Sequence, residues 1–312
     1  MSEPQGLLVN TNDLAIFSGF MTGFTVVTNR TYARDVRYLN STWRRMDDMP
    51  MTSGITHMAT VSVGSIVYLC GGYHGAHPGP HTSKCFQYDQ SIAPDTGQQW
   101  SSLPDLPNGG SAGGGMIYST AYNSLYYAGG GQRLVLGSVH PVDVNNTWKL
   151  ALHNISEGWI PSTPIPYLAN HLSAVTHRDT LGYERHFMLA GQVSENECCG
   201  NLGYNYEFFP NNETWIQRAS MPIPRGHAAS STRAIGCGFI IAGGSINNPT
   251  GNNARVRTDD ISYYDIHNDN WTTAIGRLPT IGASPIVDIH NNGYMYFVNA
   301  VPISERRRIS VH

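Results

Sequence analysis

The chain has 312 residues, of which 40% are hydrophobic and only 13% are charged, and its formal net charge is −3 at pH 7. This slightly negative charge excludes a protein that gathers nucleic acid through a broad positive field. No segment approaches the roughly 18 apolar residues that a membrane-spanning helix needs. Glycine (33 residues) and proline (18 residues) are abundant. They indicate many turns between short strands, so the composition favours an all-β protein.

Five tryptophans recur along the chain at intervals of 57, 59, 56 and 56 residues: Trp43, Trp100, Trp159, Trp215 and Trp271. Each is followed by an aliphatic-proline pair, from Met49-Pro50 to Leu278-Pro279. Between the tryptophans, apolar segments end in small residues, as in IVYLCGG (66–72) and FIIAGG (239–244). A fixed period of this length is typical of repeat proteins, in which each unit buries its faces against its neighbours.

Each unit contains four short segments rich in β-branched and aromatic residues, which we name a to d in chain order, with the tryptophan opening d. Six b-type segments occur, because LAIFSGF (14–20) and MYFVNA (295–300) extend the pattern, and DVRYLN (35–40) is the predicted third strand of the first unit. The sequence therefore predicts one all-β domain over 1–312, a six-bladed β-propeller of four-stranded blades. The predicted blades are 6–48, 49–105, 106–164, 165–220, 221–277 and 278–312. The last unit lacks the tryptophan, so we expect the ring to close by mixing N- and C-terminal strands.

The diglycine strand end, the turn after CFQYD (85–89), the tryptophan and the histidine after the proline pair together resemble the kelch repeat. The resemblance is strongest in ITHMAT (55–60) and RGHAAS (225–230), and it covers nearly the whole chain. It implies a propeller of the kelch and galactose-oxidase-like superfamily, without identifying a subfamily. Such propellers include scaffolds, receptor ectodomains and a few enzymes, so the resemblance does not define a function. The residue patterns of copper-radical oxidases and iron-dependent specifier proteins are not found in the sequence.

Propellers of this type bring the b–c and d–a connections to one face around the central channel, where we expect ligand recognition. The long b–c connections supply polar and charged candidates: His74, His77, His81, Arg133, Glu195, Arg255 and Arg257. The d–a segments add four more: His57, His171, Arg225 and His227. The arginines suit an acidic or carboxylate-bearing ligand, because guanidinium pairs with carboxylate in a bidentate manner.

Three of these histidines are also candidates for metal binding. His171 and His227 each lie six residues after the first residue of their aliphatic-proline pair, and His57 lies eight residues after its own. Imidazoles that converge on a channel can bind Zn, Cu, Fe or Ni. The kelch resemblance implies another role, in which such a histidine bonds neighbouring backbone and positions strand a. The sequence predicts no cofactor and leaves a metal ion at these residues as the alternative.

The remaining reactive residue types give no catalytic arrangement. Glycines and prolines exclude a helix around His74, His77 and His81, so their spacing defines no metal-site geometry. The five cysteines are too few and too irregularly spaced for a disulfide framework, and none forms a CxxC pair. Cys198 and Cys199 have acidic neighbours, which disfavour a reactive thiolate. The catalytic residues, if any, stay unassigned.

The sequence favours a binding scaffold with a protein or glycan ligand at the channel-mouth face. The alternative is an enzyme that acts on a sugar or another small molecule at a His-lined channel, with or without a metal. Neither a nucleic-acid partner nor a membrane span is expected, and the oligomeric state is left open.

Six N-x-S/T sequons favour an extracellular or secretory-pathway protein, with the cytoplasm as the alternative location. They lie at Asn29, Asn40, Asn145, Asn154, Asn212 and Asn270. Four of them shortly precede a repeat tryptophan, in predicted c–d turns. The first ten residues, MSEPQGLLVN, do not have the pattern of a secretory signal.

Overall fold

The computed structural model describes residues 5–10, 12–22, 26–38, 40–76, 79–132, 141–194, 196, 198–282, 284–291, 294–299 and 303–308. Regular structure in these residues is antiparallel β-strand, apart from short 3-10 turns at Pro107–Gly109, Ile155–Glu157 and Ala229–Ser231. The predicted all-β class is confirmed.

The described chain forms six larger sheets in sequence order, each a meander of consecutive antiparallel strands. Sheet 1 contains Gln5–Val9, Asp13–Phe17, Thr31–Asp35 and Arg44–Arg45. Sheet 2 contains Ala59–Val63, Ile66–Cys70, Cys85–Asp89 and Trp100–Leu103. Sheet 3 contains Gly115–Ser119, Ser124–Ala128, Thr147–Ala151 and Ile160–Ser162.

Sheet 4 contains Ser173–Arg178, Glu184–Leu189, Asn205–Phe209 and Thr214–Gln217. Sheet 5 contains Thr232–Ile235, Gly238–Ala242, Asp260–Asp265 and Asn270–Arg277. Sheet 6 contains Ile286–His290, Tyr294–Asn299 and Ile303–Arg308. We name the strands of each sheet a to d in this order, so a, b, c and d are those of the repeat.

One predicted strand is misplaced. The third strand of sheet 1 is Thr31–Asp35, where Ala33 pairs with Ala15, and not DVRYLN (35–40). Its end has a local cause, because the Asp35 carboxylate accepts a hydrogen bond from the backbone N–H of Arg37 at 2.9 Å. Such an Asx turn competes with continuation of the strand.

The a strands surround a cavity. Strand a of each sheet contacts strand a of the next, and strand a of sheet 6 contacts strand a of sheet 1. They enclose a volume of about 280 Å³, with lining residues from all six sheets: Leu7, Thr60, Met116, Val175, Arg233 and Asp288. This arrangement agrees with a β-propeller whose central channel is the cavity.

The repeat tryptophans join neighbouring sheets. Four of them donate their indole N–H to a backbone carbonyl at the end of the preceding unit, at 2.8–2.9 Å. The pairs are Trp100 with Asp47, Trp159 with Pro104, Trp215 with Thr163, and Trp271 with Ala219. Since the indole body packs on the core between two sheets, each tryptophan supplies both apolar area and one directed bond.

Sheets 1 and 6 pack against each other in the same way. Leu14 and Ile16 belong to one buried cluster with Ile286 and Val298, and the Tyr296 hydroxyl donates to the Val36 carbonyl at 2.5 Å. In the described residues, neither sheet contains a strand from the opposite end of the chain. Closure through a sheet of mixed strands therefore stays a prediction.

A disulfide joins Cys70 and Cys85, which face each other on strands b and c of sheet 2. Sequence spacing did not predict it, because the pairing follows from the strand register and not from a cysteine pattern. Cys198, Cys199 and Cys237 are free thiols.

The b–c and d–a connections add small ladders at one end of the sheets. The pairs are Phe20–Thr22 with Val26–Val27, Ile55–Thr56 with Tyr73–His74, and Gly131–Gln132 with Val142–Asp143. A fourth ladder combines Arg225–Gly226, Ser245–Ile246 and Val256–Arg257. At the other end the a–b connections are short, as at 64–65 and 236–237.

Candidate functional site

Three histidines occupy equivalent positions where a d–a segment enters strand a. His57 and His171 lie two residues before the a strands of sheets 2 and 4, and His227 precedes the 3-10 turn that leads into sheet 5. All three have left-handed backbone angles, with φ of 59°, 53° and 55°. The shared backbone conformation explains why one short turn, repeated in three sheets, directs three imidazoles to one place.

The three imidazoles meet at the end of the cavity where the a strands begin. One ring nitrogen of each lies within 4.8 Å of those of the other two. The ring centroids of His171 and His227 are 3.9 Å apart in a stacked pair, and the His57 ring contacts both, at 4.7 and 5.9 Å. Their relative exposures are only 6–7%. We call these three residues the histidine cluster.

Gly113 takes the equivalent position in sheet 3, between His57 and His171, with φ of 68°. A Cβ atom there would lie 2.5 Å from the backbone nitrogen of His171. Glycine therefore lets the turns at Gly113 and His171 approach closely.

A chain of side chains orients His171. The Asn170 amide nitrogen donates to the Asp143 carboxylate at 2.5 Å, which fixes the amide so that its oxygen faces Nδ1 of His171. Nδ1 must then carry the proton, and the lone pair of the neutral ring is on Nε2. Asn170 is fully buried, and Asp143 also accepts the backbone N–H of Ser194 at 2.7 Å. This series of hydrogen bonds therefore sets the tautomer and the ring orientation of His171.

The other two rings are oriented by hydroxyl groups. Nδ1 of His227 lies 3.3 Å from the Ser245 hydroxyl, which in turn lies 3.4 Å from the Asn201 amide oxygen. Nδ1 of His57 lies 2.9 Å from the Thr56 hydroxyl. Thus each Nδ1 has a polar neighbour. Sequence reasoning missed these partners, although a polar residue directly before His57 and before His171 was a weak signal.

The other candidates within the described residues, apart from Arg225, lie in the b–c connections. His74 is exposed, with Nδ1 at 3.4 Å from the Ser53 hydroxyl, and His81 is partly buried. Arg255 is exposed and Arg257 is half-buried on the ladder strand Val256–Arg257. Three further candidates lie outside the described residues: His77, Arg133 and Glu195.

Arg225 is placed differently from the other candidate arginines. Its side chain is fully buried. Its guanidinium bonds the Asp260 carboxylate, the Asp260 carbonyl at 2.8 Å and the Ser262 hydroxyl at 3.0 Å. These partners lie within the same chain, so the structure assigns Arg225 to the support of sheet 5 below the loop surface.

A second cavity, of about 570 Å³, opens at the opposite end of sheets 3 and 4. There the Glu207 carboxylate accepts hydrogen bonds from Arg185 at 2.5 Å and from Arg218 at 2.8 Å. Burial lowers the pKa of the adjacent His186 to about 4, so this imidazole is neutral at pH 7. The Glu207 carboxylate and the two arginines of this cavity are paired with one another. We therefore take the histidine cluster as the candidate functional site.

Comparisons with known proteins agree with this architecture. Residues 55–107 match the family model described as Kelch motif. The solved structure of YjhT resembles the chain with a TM-score of 0.70 at 16% sequence identity, covering 95% of this chain and 89% of YjhT. In fold, the chain is a β-propeller, and its residues 55–107 match the kelch motif.

The likeness does not extend to function. Matches to the chain include 379 chains of solved structures, so the fold alone does not select an activity. No curated protein matches the sequence. Among the described residues, no helix has the length and apolar character needed to cross a membrane.

Proposed function

We propose that the chain is a six-bladed binding propeller that holds an acidic ligand on the face formed by its b–c and d–a connections. The observation that carries this proposal is the asymmetry between the two ends of the sheets. The b–c connections of sheets 1–5 are all long, at 18–30, 71–84, 129–146, 190–204 and 243–259, and they leave the sheets at the end where the histidines precede the a strands. Recognition sites commonly use such loops on a rigid scaffold.

Two arginines on this face suit a carboxylate-bearing ligand. Arg255 and Arg257 lie at the edge of a three-stranded ladder that begins at Arg225–Gly226, next to His227. The ladder limits the freedom of the loop, so less conformational entropy is lost when a ligand binds. Guanidinium groups held in this way suit bidentate contacts with carboxylates.

The test is binding to arrays of uronate-containing glycans, neutral glycans and acidic peptides. We expect retention of acidic members only, and a loss of about 10-fold or more in affinity in Arg255→Gln or Arg257→Gln, the scale of one charge-assisted hydrogen bond. Arg37→Gln is the matched control, because Arg37 is exposed and pairs with Asp35 after strand c of sheet 1. Equal binding of neutral members, or equal loss in the control, would overturn the proposal.

A second candidate function is an enzyme that acts on a sugar or another small molecule at the channel end. The histidine cluster favours it, since closely spaced imidazoles can transfer protons or hold a cation. To distinguish the two functions, a glycan that binds in the array is incubated in large molar excess over the protein. An unchanged mass spectrum after many potential turnovers supports a binding protein, and a new product supports the enzyme.

We further propose a location in the secretory pathway or outside the cell. The disulfide between Cys70 and Cys85 supports this, because such bonds persist in oxidising compartments. Four sequon asparagines have exposed positions: Asn40, Asn154, Asn212 and Asn270. Asn29 is partly buried, and its amide donates to the carbonyls of Met49 and Met51.

Expression through a eukaryotic secretory pathway should therefore give a protein with glycans at exposed sequons and none at Asn29. Endoglycosidase treatment followed by peptide mass spectrometry measures occupancy at each site. Asn29→Gln should leave the glycoform pattern unchanged, whereas Asn212→Gln should remove one glycan. A secreted protein without any glycan, or with Asn29 as the main site, would contradict this expectation.

A further inference from the structure

We infer that the histidine cluster binds one transition-metal ion, of which Zn²⁺ is the reference case, through one nitrogen each of His57, His171 and His227. This site goes beyond the proposed recognition of acidic ligands. It depends on buried imidazoles at the channel end and not on the exposed arginines of the loop face. Three imidazole ligands leave one coordination position of a tetrahedral ion for water or for a ligand, as in catalytic zinc sites.

The distances within the cluster are close to those of a bound site. Two nitrogens that each lie about 2.0–2.1 Å from a tetrahedral zinc are about 3.3 Å apart. The ring nitrogens of the cluster lie within 4.8 Å of one another. Binding of one ion would require side-chain rotations, above all of the stacked rings of His171 and His227, that turn one nitrogen of each ring toward a common point.

The donor set selects the class of metal. In the described part of the chain, the cluster contains imidazoles and neither a carboxylate nor a thiolate. Imidazole suits Zn, Cu, Fe and Ni, whereas Mg²⁺ and Ca²⁺ require oxygen ligands. Since the three neutral rings bring no negative charge, a divalent ion here keeps its full charge toward a fourth ligand.

The outer partners have the arrangement that metal-binding histidines need. Ligating histidines usually donate the N–H of the other ring nitrogen to a fixed acceptor, which sets the tautomer and the ring orientation. The Asn170 amide oxygen, held in place by Asp143, is this acceptor for Nδ1 of His171. The Ser245 hydroxyl and the Thr56 hydroxyl adjoin Nδ1 of the other two rings. Where Nδ1 donates its proton to such a partner, Nε2 is the nitrogen that would bind the ion.

Backbone geometry alone does not explain why these residues are histidines. The left-handed position tolerates histidine, but sheets 3 and 6 use Gly113 and Ser284 there, with φ of 68° and 49°. Histidine occupies this position in sheets 2, 4 and 5, where the three side chains contact one another. Converging side chains of one type, at positions that other residues can fill, indicate selection for what the rings bind together.

The test uses the intact chain, freed of metal with a chelator, and Zn²⁺ alone as the probe. We expect binding of one ion per chain in calorimetric titration, and a rise in Tm with Zn²⁺ because the ion binds the folded state. With Co²⁺, the visible spectrum should show the intense bands of a tetrahedral complex. His57→Gln combined with His227→Gln should abolish these signals, while His153→Gln, at an exposed position, should keep them.

A subtler variant addresses the outer partners and the risk of misfolding. Asp143→Ala removes the acceptor that anchors Asn170 without touching a ligand, and losing such a partner typically lowers metal affinity by about 10–100-fold. Circular dichroism of each variant confirms that it is folded before titration. Binding well below one ion per chain by folded wild-type protein, or unchanged binding in the folded double variant, would overturn the site. Neither result bears on the glycan and peptide arrays, which test the loop arginines.

Discussion

Replacing Asp260 with alanine should lower the free energy of unfolding by about 3–5 kcal/mol, the usual cost of leaving one partner of a buried ion pair alone. Arg225 is fully buried, and the Asp260 carboxylate is its counter-ion. Burial lowers the pKa of the Arg225 guanidinium, while the charge of Asp260 raises it. Without the carboxylate, a cation stays in the core with only carbonyls and one hydroxyl around it. Urea unfolding followed by tryptophan fluorescence measures the difference.

The neighbouring residue provides the control. Asp259 pairs with Arg277 on the surface, where the arginine side chain is 67% exposed. Exposed pairs contribute about 0–1 kcal/mol, so Asp259→Ala should lower the free energy of unfolding by no more than that. Combining Asp260→Leu with Arg225→Met removes both charges and should recover much of the loss. The account of Arg225 is wrong if the variants at 259 and 260 are equally stable.

Arg225 also shows where sequence reasoning about the site reaches its limit. The repeat places it in a d–a segment two residues before His227, and that much is correct. The direction of its side chain depends on Asp260, which lies 35 residues away along the chain. A sequence does not indicate whether an arginine at the start of a turn finds its carboxylate in a ligand or in the next sheet.

The convergence of the three histidines could be predicted from the sequence, whereas the direction of the Arg225 side chain could not. Residues at one position of a closed repeat are brought to one place by the repeat itself, so three histidines at that position are expected to meet. Their environment was not predictable. Gly113 occupies the same repeat position as the histidines, but neither its role nor that of Asp143 is visible in the sequence period, because both depend on contacts within a few ångströms of His171.

The fold was more accessible than the site, because its signals repeat. The tryptophans predicted the unit length, and the small residues after each b strand marked its end. The repeat pattern misplaced one strand, because the Asp35 carboxylate forms a turn that ends the third strand of sheet 1 at Asp35. The sequence did not predict the disulfide, because Cys70 and Cys85 face each other through the register of strands b and c, which cysteine spacing does not indicate.

Trp100 offers the most direct test of how the sheets hold together. Its indole packs against Phe17 of sheet 1 and Tyr88 of its own sheet, with ring centroids 5.8 and 4.9 Å away. Its N–H donates to the Asp47 carbonyl at 2.9 Å. Trp100→Ala should lower the free energy of unfolding by about 3–5 kcal/mol, because it opens a cavity between two sheets.

Trp100→Phe separates the two contributions, since phenylalanine keeps an aromatic ring and loses the N–H donor. We expect Trp100→Phe to lower the free energy of unfolding by about 1–2 kcal/mol, because the hydrogen bond is lost and the ring is smaller. Trp271→Phe should give a similar result, because Trp271 donates to the Ala219 carbonyl at 2.8 Å in the same way. If phenylalanine at 100 were as costly as alanine, the directed bond would dominate the joint between sheets. If it cost nothing, apolar packing alone would hold the sheets together, and the recurring indole would need another explanation.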